Sequence, residues 1–164
     1  MYFELTDHFH VAADLEKTWA FFSAAENLPK ITPPRLAFRI LTAMPVEMKQ
    51  GLLLDYTIRW MGVPVRWRTR IIDWTPQGQF IDLQIRGPYT LWHHQHRFVA
   101  GAGGGTECFD RVTYQLPGGP IGTVMHTLVV RRQLIEIFRF RREAIGRLLG
   151  MLTLRQGDVE VRRL

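Results

Sequence analysis

The run Trp92-His93-His94-Gln95-His96-Arg97-Phe98 packs three of the chain's six histidines into four positions. Imidazole near neutral pH can ligate a metal, move a proton or hydrogen-bond to a neighbour, so this run is where chemistry would sit. Which histidines act together depends on the element carrying them. On a strand, alternate residues share a face. Trp92, His94, His96 and Phe98 then form one face, and Leu91, His93, Gln95 and Arg97 the other.

The next segment divides in the same way, Cys108, Asp110, Val112 and Tyr114 against Phe109, Arg111, Thr113 and Gln115. Arg111, Thr113 and Gln115 suit water, which sends Asp110 and Tyr114 inward. The glycine-rich loop at 100–105 permits a hairpin in which His96 faces Asp110 and Trp92 faces Tyr114, since directly opposed residues lie on one face. His93 is left on the outer face.

Three chemistries are open to such a face. A metal could be held by His94, His96 and Asp110, because alternate strand residues stand only about 6.7 Å apart. Ligand spacing of the helix or knuckle kind is missing, however, and Cys108 is the lone cysteine, so the reading names no metal and no cofactor. Acid–base catalysis could use His96 with Asp110 holding its tautomer, although no nucleophile motif or oxyanion loop accompanies the pair. A polar patch in an apolar, aromatic-walled cavity is the third reading and the preferred one, because ligand sites combine such walls with a few placed polar groups.

The elements that position this face follow from periodicity. Residues 2–11 read as a strand. Asp14 can cap a short helix over LEKTWAFFS by accepting from free first-turn amides. AAENLPKITPP reads as a second brief helical turn broken by prolines. From about 36 to 117 the period becomes two, with candidate strands LAFRILTAM, GLLLDYTIRWM, VPVRWRTRIIDW, QFIDLQIRG, YTLWHHQHRFV and TECFDRVTYQL. Short loops between them imply an antiparallel meander. A helix from about 120 to 150 closes the series and covers the sheet's apolar face.

Alternation points Leu54, Tyr56, Ile58 and Trp60 inward on one strand and Val65, Trp67, Thr69 and Ile71 on the next. It likewise points Ile81, Leu83 and Ile85 inward, with Asp82, Gln84 and Arg86 outward. Arg66, Arg68 and Arg70 then form an exposed ladder. On the long helix, Leu134, Ile135, Ile137, Phe138, Ala144, Ile145, Leu148 and Leu149 make an apolar arc, and Arg141 falls inside it. A guanidinium there either snorkels to water or meets an inward acid such as Asp110.

Composition narrows the classes further. A chain of 164 residues with 46% apolar content suits one globular domain. Its start has neither a basic segment nor a long apolar run, so no signal peptide is expected, and no stretch is apolar enough to span a membrane. One cysteine excludes a disulfide scaffold and fits a reducing cytoplasm. The net charge of +6 suggests nucleic acid at first. Residues 1–130, however, carry twelve Lys and Arg against eleven Asp and Glu, and residues 131–164 nine against four. The excess sits on the C-terminal segment, where Arg131, Arg132, Arg139, Arg142 and Arg147 could serve an RNA- or ribosome-binding module.

The order of strand, two short helices, meander and long helix, with ENLPKITPP, FIDLQIRGPYTLWHHQHRF, GGGTECFDRVTYQLPGGPIG and LVVRRQLIEIFRFR in place, resembles the START-like (SRPBCC) superfamily. It is most similar to the small bacterial branch related to polyketide cyclases/dehydratases and ubiquinone-binding proteins. The resemblance covers about residues 1–150 and leaves 151–164 as a C-terminal extension. It implies an α+β helix-grip fold, in which a curved seven-stranded antiparallel sheet wraps the long C-terminal helix around a hydrophobic cavity. Members bind lipids, sterols, polyketides or quinones, and some are enzymes with no shared catalytic set, so fold analogy supports a cavity rather than a reaction.

The expectation is therefore a cytoplasmic domain that binds a small apolar molecule, with a homodimer compatible. Trp60, Trp67, Trp92 and Tyr114 would supply wall, Tyr56, His94, His96, Asp110 and Arg141 polar contacts. Trp60, Trp67, Trp74 and Trp92 are also large enough to fill such a cavity. The alternatives are an aromatase/cyclase-type enzyme using His96 and Asp110, and the RNA- or ribosome-binding module.

Overall fold

The computed structural model describes residues 1–151 and 158–164. Strand β1 (Phe3–Val11) leads into helix α1 (Leu15–Phe22), where Asp14 Oδ1 accepts from the Lys17 amide at 2.8 Å as the capping pattern predicts. Two 3-10 turns, Ala25–Ile31 and Pro34–Leu36, carry the chain across one end of the sheet. The meander follows as β2 (Arg39–Ile40), β3 (Leu53–Trp60), β4 (Val63–Thr75), β5 (Gln79–Arg86), β6 (Leu91–Ala100) and β7 (Thr106–Gln115). Helix α2 (Gly119–Met125) continues through a π turn (His126–Val130) into α3 (Arg131–Leu149). Strand β8 (Glu160–Arg163) ends the chain.

All strands join one antiparallel sheet in the order β2-β3-β4-β5-β6-β7-β1-β8. The count is eight, one more than the seven expected, because part of the expected C-terminal extension adds β8 to the β1 edge, with Leu5 opposite Val161. The expected strand over 36–44 shrinks to two residues. Leu36 lies in a 3-10 turn and Ala37 takes a left-handed conformation. Beyond Ile40, the Leu41 and Thr42 amides both donate to Asp55 O, which ends the regular ladder.

The helix lies across the concave face and buries Leu134, Phe138, Ala144, Ile145 and Leu149, all from the arc read in the sequence apart from its half-buried or exposed margins. Ile145 and Leu149 pack with Phe9, Val11 and Phe22, while Leu134 and Phe138 pack with Tyr114 and Trp67. Leu148 is 48% exposed and belongs to the margin.

The π turn places His126 inside, 3% exposed and stacked on Phe3 with centroids 3.5 Å apart. A π turn adds a residue to one helical turn and redirects the side chains there. The Tyr114 hydroxyl pairs with His126 Nε2 at 2.8 Å. Burial first, and Arg131 second, push His126 down to about 4. The folded state therefore binds fewer protons than the unfolded chain between pH 4 and 6.5, and stability falls as pH drops through that window. We expect the wild type to lose about 1 kcal/mol more than His126→Phe between pH 7 and pH 5, allowing for solvent screening. Urea unfolding of both proteins at the two pH values measures this, and equal losses would contradict it.

Candidate functional site

Between the sheet and α3 lies a cavity of 410 Å³ that opens toward solvent. Its floor comes from β3 and β4, whose alternation presents Tyr56, Ile58 and Trp60 and then Trp67, Thr69 and Ile71. The 3-10 turns close one side through Leu28, Ile31 and Leu36. The helix covers the top with Leu134, Ile137, Phe138 and Arg141. Trp60, Trp67 and Trp92 therefore line the space rather than fill it, and Trp74 packs elsewhere, against Trp19 and Phe80. Trp67 packs edge-on to Trp92, with centroids 5.5 Å apart, and near-parallel to Tyr56 at 5.9 Å.

The hairpin of β6 and β7 has the register read from the sequence, with His96 opposite Asp110 and Trp92 opposite Tyr114. His94 and His96 are buried, while His93 lies half-buried on the outer face. The two inner rings lie with centroids 3.7 Å apart and planes tilted by 41°. Beneath them, Asp110 Oδ1 lies 3.1 Å from His94 Nε2 and 2.6 Å from His96 Nδ1.

The face of β5 is the reverse of that read in the sequence. A bulge at Ile72 lets Ile71 pair with Asp82 and Asp73 with Ile81. Opposed residues share a face, so Asp82 turns inward with Ile71, while Ile85 is 52% exposed. The Thr69 hydroxyl donates to Asp82 Oδ1 at 3.2 Å. Asp82 Oδ2 lies 3.2 Å from His96 Nε2 and 3.7 Å from His94 Nδ1. Local hydropathy favoured the apolar triplet, and cross-strand pairing decided otherwise.

Arg141 does not snorkel. Its Nε stands 3.5 Å from Asp110 Oδ2, and Nη2 lies 3.4 Å from His96 Nδ1. Neither Asp110 Oδ2 nor Arg141 Nε has a hydrogen bond among the described residues, so this ion pair is close but loosely made. Next to it, Arg142 pairs with the buried Asp7 of β1, directly across from Asp110. Asp7 escaped notice in the sequence because it sits between Leu5 and Phe9 on an apolar strand. Burial outweighs Arg142 and pushes its carboxyl up to about 6.

Electrostatics divide the cluster. Burial alone would raise Asp110, but Arg141 and then His96 and His94 together hold it well below the usual carboxylate range. Burial likewise opposes the charged form of Asp82, and hydrogen bonding and charge from the two histidines lower it all the same. Burial and the neighbouring His96 push His94 down to about 4, against the pull of both aspartates. His96 shifts upward instead, because Asp110 and Asp82 outweigh burial.

Seven of the nine expected site residues line the cavity: Tyr56, Trp60, Trp67, Trp92, His94, His96 and Arg141. Asp110 and Tyr114 do not. Both lie on β7, beyond β6 in the sheet, where Asp110 underpins the histidines and the Tyr114 hydroxyl is engaged by His126. Of the basic set on the helix, Arg131, Arg132, Arg139 and Arg147 remain exposed. Arg142 is turned inward onto Asp7, Arg132 pairs with Glu136, and Arg139 pairs with Asp158. Among the described residues, no helix is long and apolar enough to cross a membrane.

Neither a family model nor any curated protein sequence matches the chain significantly. Solved structures do. A START superfamily protein from Mycobacterium smegmatis superposes with a TM-score of 0.67 at 14% identity, covering 89% of this chain and 99% of that one. A norcoclaurine synthase from Thalictrum, solved with a transition-state analogue, gives 0.66 at 16%, covering 91% and 94%. The major latex-like protein 151 from Panax ginseng gives 0.63 at 9%, covering 91% and 98%. The chain has the START-like helix-grip fold.

Proposed function

We propose that this protein binds a small apolar molecule, of lipid, quinone or polyketide-like size, with an oxygen-bearing end directed at Arg141, His94 and His96. The observation that carries this reading is the cavity itself, at 410 Å³ walled mainly by aromatic and aliphatic side chains. Drug-sized ligands occupy pockets of roughly 300–1,000 Å³ with few polar groups. The Trp67 indole N–H is buried without a partner among the described residues and supplies a further donor on the wall. The lone, buried Cys108 is consistent with a cytoplasmic setting.

The tryptophans give the test. Titrating the protein with a long-chain ubiquinone analogue should quench the fluorescence of Trp60, Trp67 and Trp92 saturably, with one site per chain. A linear, unsaturable response with that analogue, a fatty acid and an aromatic polyketide would remove the reading.

Acid–base catalysis on such a molecule is a second reading, favoured by the 2.6 Å approach of Asp110 to the cavity-lining His96. His96 would then touch substrate, and Asp110 would position its ring.

A further inference from the structure

Asp82, His94 and His96 form the one group of three potential metal ligands found among the described residues, with ligand atoms within 4.8 Å of one another. Asp82 Oδ2 stands 3.2 Å from His96 Nε2 and 3.7 Å from His94 Nδ1. Ligand atoms bound at about 2.0–2.2 Å to a common ion lie roughly 3–3.5 Å from each other, so the two distances to Asp82 need little adjustment.

The far ring nitrogens fix which way the rings serve. His94 Nε2 and His96 Nδ1 both approach the same oxygen, Asp110 Oδ1, at 3.1 and 2.6 Å. An ionised carboxylate only accepts, so each ring gives its N–H to Asp110 and turns the other nitrogen's lone pair toward Asp82. Two imidazole lone pairs and a carboxylate then converge on one position. With both rings neutral, three acceptors face one another, and a metal ion between them or a proton on His96 relieves this. A carboxylate behind the histidines is the arrangement that orients imidazoles in metal centres, and Arg141 anchors that carboxylate from behind. All three ligating residues line the cavity, which provides both an entry path and room for a further ligand.

We propose that Asp82, His94 and His96 form a mononuclear site for a divalent transition-metal ion at the polar end of the cavity, with Asp110 as the positioning residue for both imidazoles. Two histidines and one carboxylate with open positions suit ferrous iron or zinc, whereas magnesium and calcium favour all-oxygen sets. The site does not depend on the apolar-ligand reading, because an ion would bind whether or not the cavity takes an organic molecule.

Cobalt(II) is the probe. Protein stripped with a chelator is titrated with Co²⁺, read by visible absorption, and desalted for metal analysis. One Co²⁺ per chain is expected, displaced by Zn²⁺. Asp82→Asn and His94→Gln should each weaken binding at least tenfold. Asp110→Asn should weaken it by about 10–100-fold while the stoichiometry stays at one. Circular dichroism checks the fold of each variant, and the two ligand variants back each other if one fails to fold.

The cluster of exposed His8 with the partly buried His10 and Glu107, on β1 and β7, is the competing adventitious site. A His8→Ala/His10→Ala protein should keep the bound cobalt. Three results would overturn the proposal: no retained cobalt, binding unchanged in both folded ligand variants, or binding lost with His8 and His10. The first of these would leave a proton on His96 as the cation facing Asp82.

Discussion

Arg141→Met is expected to lower the unfolding free energy by about 3 kcal/mol, the lower end of what breaking a buried ion pair costs. The Arg141 side chain is 12% exposed and its partner Asp110 only 4%. Removing the guanidinium leaves a desolvated carboxylate that only His94 and His96 can still compensate. Methionine keeps much of the volume beside Phe22, over whose ring the guanidinium lies at 5.5 Å, so packing changes less than charge. Adding Asp110→Asn to the methionine variant removes the orphaned charge and should restore about 1–2 kcal/mol. Urea unfolding of the four proteins in this cycle gives the coupling. Additivity within about 0.5 kcal/mol would mean that the pair contributes nothing to the fold.

Ile58→Trp is expected to abolish most ligand binding while the fold survives. Ile58 is half-buried, lies on β3 opposite Val65 and lines the cavity. An indole there takes space that a ligand would fill, while aromatic residues suit strands. Overpacking costs of about 1–3 kcal/mol, set against the bound state, correspond to roughly 5–150-fold weaker affinity. His93→Ala, on the outer face of β6, should leave affinity unchanged. Equal affinities in the wild type and Ile58→Trp would place the ligand elsewhere.

The two faces of the histidine strand were legible because alternation there is unambiguous: Trp92, His94, His96 and Phe98 have one parity, and β7 offers a matching inward set. The long helix was legible for the same reason, through its apolar arc. Asp82 was not. Its strand has isoleucine and leucine on one parity and Phe80, Asp82 and Gln84 on the other, and the pairings with β4 through the bulge at Ile72 and with β6, where Asp82 stands opposite His94, set which of them faces in. Hydropathy within one strand cannot register an extra residue in its neighbour. The aromatic pair Trp74 and Phe80, flanking the turn with centroids 5.5 Å apart, was the available signal, since both belong to the inner face. Strand β8 was hidden because its pairing with β1 joins the two ends of the chain. The choice between snorkelling and pairing for Arg141 likewise needed the helix placed against β7.

Native mass spectrometry of the purified protein, beside Ile58→Trp prepared identically, tests the cavity most directly. Binding predicts a population of wild-type protein carrying one small, apolar, oxygen-bearing molecule that dissociates on activation and is strongly reduced in Ile58→Trp. Wild type and variant that both remain free of any adduct after incubation with ubiquinone analogues, fatty acids and polyketides would contradict the account.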